Sequence, residues 1–265
     1  MMLVVCDVDG TLVDKQKKLT DATAAAVKRL RAAGVEFTII SARPMSGMMP
    51  IAERLELDVP MGAFNGGIVF RRDGTISEHH MVPIEVARGA FAAAAEAAVD
   101  RWVFADNRWY ASTDQGLHVE HERLASNQQP IVRADFSDLL DRADKITFVS
   151  DDAALLKDLA NKVEPLAAAA TIVQSQTYYL DITAGAGNKG NGITALTQAI
   201  GVSLSHTVAI GDQANDLAMF ARAGRSIAMG NATDAVKAQA DDVTTANDAD
   251  GVAHAIDKFI LGRMM

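Results

Sequence analysis

Continuous apolar runs alternate with amphipathic stretches at both ends of the chain. Met2 to Cys6 reads as a buried strand and Val35 to Ile40 as another, the pattern of strands covered on both faces of a parallel sheet. Between them Thr20 can cap a helix over 21–33, with Val27, Leu30 and several alanines on one face and Gly34 as its stop. A helix is predicted over 46–56. Ala63-Phe64 then leads into Asn65-Gly66-Gly67, and 68–70 with 75–78 reads as a hairpin around Asp73-Gly74.

After Pro83 the pattern changes. Residues 84–99 predict an alanine-rich helix, 102–105 and 108–112 strands, and 113–143 is polar and irregular with no clear element. A strand over 145–150, a helix over 152–163 and a strand pair at 171–175 and 177–183 follow. Strands beside hairpins as often as beside helices indicate an α+β module with an antiparallel sheet. Gly185-Ala186-Gly187 reads as a return linker. Beyond it αβ alternation resumes, with helices over 190–200, 214–223, 233–240 and 250–261 and strands at 207–210, 226–229 and 242–244. The expected architecture is an α/β parallel-sheet core made of 1–82 and 188–265, with an α+β domain inserted over 83–187.

The 265 residues suffice for one or two domains, and 49% are hydrophobic. A net charge of −9 argues against broad nucleic-acid or anionic-membrane binding, though local positive charge could still hold a small anion. The single cysteine, Cys6, rules out an intrachain disulfide and reads as a small buried apolar residue. With no leader-like start and no apolar run near the roughly 20 residues of a membrane span, a reducing cytoplasm is expected.

The candidate chemistry sits at strand ends, where open parallel sheets bind ligands. Asp7-Val8-Asp9-Gly10-Thr11 follows the first strand. In a continuing strand Asp7 and Asp9 would share one face, and like charges held close raise each other's pKa unless a cation favours both ionised forms. Aspartate can also attack phosphorus and carry the phosphoryl group. Ser41-Ala42-Arg43-Pro44 ends the second core strand, where a hydroxyl and backbone N–H groups can hold a phosphate oxygen. Lys189 opens a helix, a position mildly unfavourable to the helix dipole that suits a neutralised phosphate, although a solvated surface lysine is the commoner case. Gly211-Asp212-Gln213-Ala214-Asn215-Asp216 offers two carboxylates and an amide at a strand-to-helix turn. Helix capping explains one of those aspartates well and the cluster poorly.

These motifs, with Asn-Gly-Gly at 65–67, Lys189-Gly190 and Ala-Met-Gly-Asn-Ala at 228–232, resemble in order and spacing those of haloacid-dehalogenase-superfamily phosphatases, specifically the Cof-like group with a type IIB cap. The resemblance spans essentially the whole chain. It departs at Ala42, where the family usually has glycine; alanine keeps the backbone N–H. It implies a Rossmann-like core and an inserted α+β cap acting as a lid that sets specificity. It further implies Asp7 as nucleophile and Asp9 as acid and base. Mg²⁺ would be held by Asp7, the Asp9 carbonyl and Asp212, with Asp216 supporting. Thr11, Ser41, Ala42, Lys189 and Asn215 would bind the phosphoryl group.

The activity expected is hydrolysis of small phosphorylated metabolites, foremost sugar phosphates, by a monomer or homodimer. A phosphosugar mutase and a sucrose-phosphatase or mannosyl-3-phosphoglycerate phosphatase type are the alternatives within the family. A non-catalytic binding module is disfavoured because each catalytic position holds a competent residue. A Ca²⁺-binding protein is disfavoured because the acidic residues form no contiguous twelve-residue loop. In the cap, Trp109, Tyr110, His118, His121, Tyr178 and Tyr179 could meet a substrate, but packing or simple exposure accounts for each.

Overall fold

The computed structural model describes residues 1–263. In chain order it forms β1 (Met2–Asp7), α1 (Asp21–Ala32), β2 (Val35–Ile40), α2 (Met45–Arg54), β3 (Met61–Ala63), β4 (Ile68–Phe70) and β5 (Ile76–His79). Next come α3 (Ile84–Ala93), β6 (Asp100–Ala105), β7 (Arg108–Ala111), α4 (Val119–Ser126), β8 (Ile131–Val132), β9 (Ala143–Val149), α5 (Ala153–Val163), β10 (Ala170–Gln176) and β11 (Tyr179–Ala184). The chain finishes with α6 (Lys189–Ile200), β12 (Thr207–Gly211), α7 (Leu217–Phe220), β13 (Arg225–Ala228), α8 (Asp234–Lys237), β14 (Asp242–Val243) and α9 (Gly251–Ala255). Two compact units result: Met1–Ala42, Met48–Glu78 and Asn188 onward make one, and Arg43–Gly47 with His79–Gly187 the other.

The first unit is built on an eight-stranded sheet in the order β14-β13-β12-β1-β2-β3-β4-β5. β1 lies between β12 and β2, parallel to both, with Val4 beside Val208 and Phe37. Burial of Leu3, Val4, Val5 and Cys6 explains why β1 carries no polar alternation. α1 buries Thr23, Ala26, Val27 and Leu30, one helical stripe, and Thr20 caps it by accepting the Thr23 N–H. Because β1, β2, β12 and β13 run parallel, their carboxyl ends lie at one edge of the sheet.

The second unit has a six-stranded sheet in the order β10-β11-β9-β6-β7-β8, antiparallel except for β7 with β8. Val86, Ala90, Leu156 and Leu159 of α3 and α5 join Val103, Ile146, Phe148 and Ile182 in one apolar cluster, so these helices cover one sheet face. Among the described residues no helix is long and apolar enough to cross a membrane.

Several predicted elements shift. The helix expected over 84–99 ends at Ala93, because the Arg101 guanidinium takes the carbonyls of Ala94, Ala95 and Val99 and draws that backbone into turns. The stretch 113–143 contains α4 and β8. The helix expected over 214–223 is a 3₁₀ turn, Ala214–Asp216, followed by the short α7. The helix expected over 233–240 shrinks to α8, and that over 250–261 is α9 continued by a π turn at Ile256–Ile260.

Candidate active site

β1 stops at Asp7, and the chain turns at once: the Val8 carbonyl accepts N–H groups from Thr11, Leu12 and Val13. The strand therefore does not carry Asp9 onto the face of Asp7. Instead the Asp9 carboxylate accepts from Lys17 Nζ at 2.6 Å, which corrects the expected same-face pair. Gly10 completes the turn at φ +81°, and a Cβ there would stand 2.4 Å from Asp212 Oδ2. Glycine thus supplies both the left-handed backbone and the room for a second carboxylate. Thr11 Oγ1 donates to Asp212 Oδ1 at 2.9 Å.

Lys189 is the first residue of α6. Asn188 caps the helix through the Asn191 N–H. The helix starts against the turn after β3, where Gly66 meets Gly192. Far from being a surface lysine, Lys189 is only 2% exposed. Its ammonium donates to Asp7 Oδ1 at 2.5 Å and to Asp216 Oδ1. Burial alone would lower the Lys189 pKa, but the Asp216 and Asp7 carboxylates outweigh it and hold the ammonium charged above its ordinary value.

β12 delivers the third piece. The other oxygen of Asp216 accepts the N–H groups of Asp212 and Gln213, both at 2.8 Å. Asp216 is therefore a cap for its own turn as well as a partner of Lys189. Carboxylate oxygens of Asp7, Asp212 and Asp216 lie within 4.8 Å of one another, all buried. Burial, against Lys189 and with the neighbouring carboxylates, pushes Asp7 up to about 8. Burial and Asp216 push Asp212 up to about 6. One ammonium does not balance three buried carboxylates. An all-oxygen, anionic set of this kind suits a hard cation.

The remaining predicted residues sit around this cluster. Ser41 follows Ile40, the residue paired with Asp7 across β1 and β2. Its backbone is fixed by the Gly62 carbonyl at 2.9 Å and the Asn65 N–H at 2.7 Å, and Ala42 follows it, half-buried. Asn215 is exposed and lies outside the buried group. Thus Asp7, Thr11, Lys189, Asp212 and Asp216 are joined directly, while the Asp9 carboxylate pairs with Lys17 and Asn215 is exposed.

Two further asparagines, Asn231 of the 228–232 motif and Asn247, adjoin these residues. Asn231 Nδ2 donates to the Gly10 carbonyl at 2.8 Å and approaches Asp212 Oδ2 at 3.4 Å. Asn247 donates its backbone N–H to Asn231 Oδ1 and its amide to the Val13 carbonyl, both at 2.9 Å. Asn231 follows the carboxyl end of β13, the same positional rule that marks Asp7 and Asp212.

The family profile described as haloacid dehalogenase-like hydrolase matches residues 4–256. A Streptococcus pyogenes protein that carries a phosphatase name is 30% identical over 268 residues, covering 98% of both chains. The pyridoxal phosphate phosphatase YbhA of Escherichia coli is 28% identical over 264 residues, covering 96% of this chain and 97% of its own. A solved structure of a haloacid dehalogenase-like hydrolase from Bacteroides thetaiotaomicron matches with a TM-score of 0.89 at 27% identity, over 98% of this chain and 99% of that one. The chain belongs to the haloacid dehalogenase-like hydrolase family and stands among its phosphatases.

Proposed function

We propose that the chain is a Mg²⁺-dependent phosphatase that hydrolyses small organic phosphate monoesters, foremost sugar phosphates, through an aspartyl-phosphate on Asp7. The observation that carries this reading is the buried meeting of Asp7, Asp212 and Asp216 with Lys189 bridging two of them. Asp7, Asp212 and the Asp9 carbonyl would hold the ion, with Asp216 in support. When bound, Mg²⁺ neutralises the carboxylates and phosphate oxygens and so keeps Asp7 ionised.

The residues divide the work. Asp7 Oδ attacks phosphorus as the ester P–O bond breaks, and Asp9 gives its proton to the leaving alkoxide. Water then attacks the aspartyl-phosphate, losing its proton to Asp9, and inorganic phosphate and free Asp7 result. Lys189 neutralises the transferring group. Ser41, the Ala42 N–H, Thr11 and Asn215 orient it. Positioning and charge supply most of the catalysis in such a transfer. Asp9 must turn from Lys17 to act, a rotation of one half-exposed side chain.

Residues 83–187 act as the inserted cap that selects the substrate, and 1–82 with 188–265 as the catalytic core. The chain works in the cytoplasm on a small metabolite, as a monomer or homodimer, without nucleic-acid or membrane partners. The name of the Escherichia coli relative makes pyridoxal phosphate a second substrate to try. Phosphate release from p-nitrophenyl phosphate should need added Mg²⁺, stop in EDTA and vanish in Asp7→Asn. Turnover retained by a folded Asp7→Asn variant would remove the nucleophile and the reading with it.

A further inference from the structure

The segment 8–20, between β1 and α1, is pinned along its length. The Gly10 carbonyl accepts from Asn231 at 2.8 Å and the Val13 carbonyl from Asn247 at 2.9 Å. Asp9 and Val13 form a backbone bridge. Lys15 pairs with Asp248 at 2.6 Å, and the Thr20 hydroxyl donates to Asp250 at 2.6 Å. The tip closes on itself. Asp14 Oδ1 accepts the N–H groups of Gln16 and Lys18, both at 2.9 Å. The Asp14 N–H donates to the Lys18 carbonyl, and the Lys17 N–H to the Asp14 carbonyl, both at 3.0 Å. A side chain that bonds its own turn in this way fixes the direction of the residues inside it.

Lys17 stands apart within this turn. Lys15 and Lys18 are exposed, whereas Lys17 is partly buried. Its backbone lies in the left-handed region at φ +60°. Glycine or asparagine fits that region at least cost, and a lysine is strained there. A strained residue held by the structure around it points to a use for its side chain. Here the ammonium donates to Asp9 Oδ1 at 2.6 Å, with the two side chains 25% and 31% exposed. Both ends of the ion pair stand on pinned backbone, so the pair opens by side-chain rotation while the turn stays in place.

We propose that Lys17 is a positioning residue that latches Asp9 in a resting orientation, so that the acid step begins only when this ion pair opens. The proposal rests on Asp9 being the acid and base of a phosphatase. While the ammonium engages the carboxylate, Asp9 does not give a proton to the leaving oxygen, and the competent fraction of the chain is the fraction unlatched. An ester that leaves without a proton escapes this control. p-Nitrophenolate departs as a stabilised anion, whereas phenolate is a poorer leaving group and gains from general-acid help. The rate constant for phenyl phosphate divided by that for p-nitrophenyl phosphate therefore isolates the acid step. Any attraction between Lys17 and the phosphate group itself cancels in this ratio.

The test compares second-order rate constants for single-turnover release of phenol and of p-nitrophenol from the two esters. Lys17→Met should raise the phenyl to p-nitrophenyl ratio about two- to fivefold, the weight of a partly exposed ion pair. Lys17→Gly, which suits φ +60° and so guards against a misfolded turn, should match it. Lys17→Arg keeps the cation and should keep the parent ratio. With Asp9→Asn already in place, Lys17→Met should leave the ratio where Asp9→Asn set it, because Lys17 acts through Asp9. The inference is overturned if the ratio stays level or falls in Lys17→Met and Lys17→Gly chains that are folded by circular dichroism. It is equally overturned if Lys17→Arg raises the ratio as much, or if the rise persists without the Asp9 carboxylate. Asp9→Asn alone separates the two readings. A ratio kept at the parent value in that variant sinks Asp9 as the acid, whereas a lowered ratio there with no gain in the Lys17 variants sinks the latch alone.

Discussion

Gly66 and Gly192 touch backbone to backbone: a Cβ on Gly66 would stand 2.4 Å from Gly192 Cα. The turn after β3 and the first turn of α6 are thereby in direct contact, and Lys189 lies three residues before Gly192. The contact fixes where the ammonium emerges.

Gly192→Ala should destabilise the protein, contrary to the usual gain for alanine inside a helix. The added methyl would meet Ile40 Cδ1 at 2.4 Å and Gly66 Cα at 3.0 Å. Overpacking of this kind costs about 1–3 kcal/mol. Urea unfolding should show a lower midpoint at unchanged slope, with reduced phosphate release from a displaced Lys189.

Lys189→Met should cost more, about 3–5 kcal/mol, because it strands the buried Asp7 and Asp216 carboxylates without their cation. Lowering the pH protonates carboxylates and should recover part of that loss. Thermal unfolding of the variant at pH 5 and pH 8 measures this, and a deficit independent of pH would contradict the charge argument. Activity should fall by at least a hundredfold.

The acidic cluster should make stability depend on pH and cation together. Asp7 is raised from 3.8 to about 8 and Asp212 to about 6, each first by burial. A carboxyl with a raised folded pKa contributes stability that is fully present below the unfolded value near 3.8. That contribution is lost as pH rises through the folded value. In EDTA, this part of the stability should therefore decline between about pH 4 and pH 8. Mg²⁺ favours the ionised forms, so the Tm gain on adding it should grow over the same range. Equal gains at pH 5.5 and pH 8 would refute the coupling.

Asn231→Ala should loosen the loop that carries Asp9 and Gly10. It removes bonds to the Gly10 carbonyl, the Asn247 N–H and Asp212. The expected loss is about 1–2 kcal/mol. A weaker apparent affinity for Mg²⁺ in the phosphatase assay should accompany it, and an unchanged Mg²⁺ titration would limit Asn231 to a purely structural part.

The core strands were legible because burial on both faces writes itself as continuous apolar sequence, as in β1 and β2. Helix lengths were less so. Arg101 unwinds 94–99 from a distance, and Asp216 shortens the helix after β12 by capping its own turn. α4 stayed hidden because its buried positions, Val119, Glu122, Ala125 and Ser126, include two polar residues and so give no apolar stripe.

Order and spacing along the chain were enough to single out Asp7, Ser41, Lys189, Asp212 and Asp216 as candidates at strand ends and a helix start. The tertiary structure decided that Asp7, Asp212 and Asp216 share one buried volume with Lys189, and that the Asp9 side chain pairs with Lys17. Local pattern records which way a residue faces within its own element. Charge neutralisation and burial act through space, between residues as far apart as Asp7 and Lys189, and only the folded chain sets those distances.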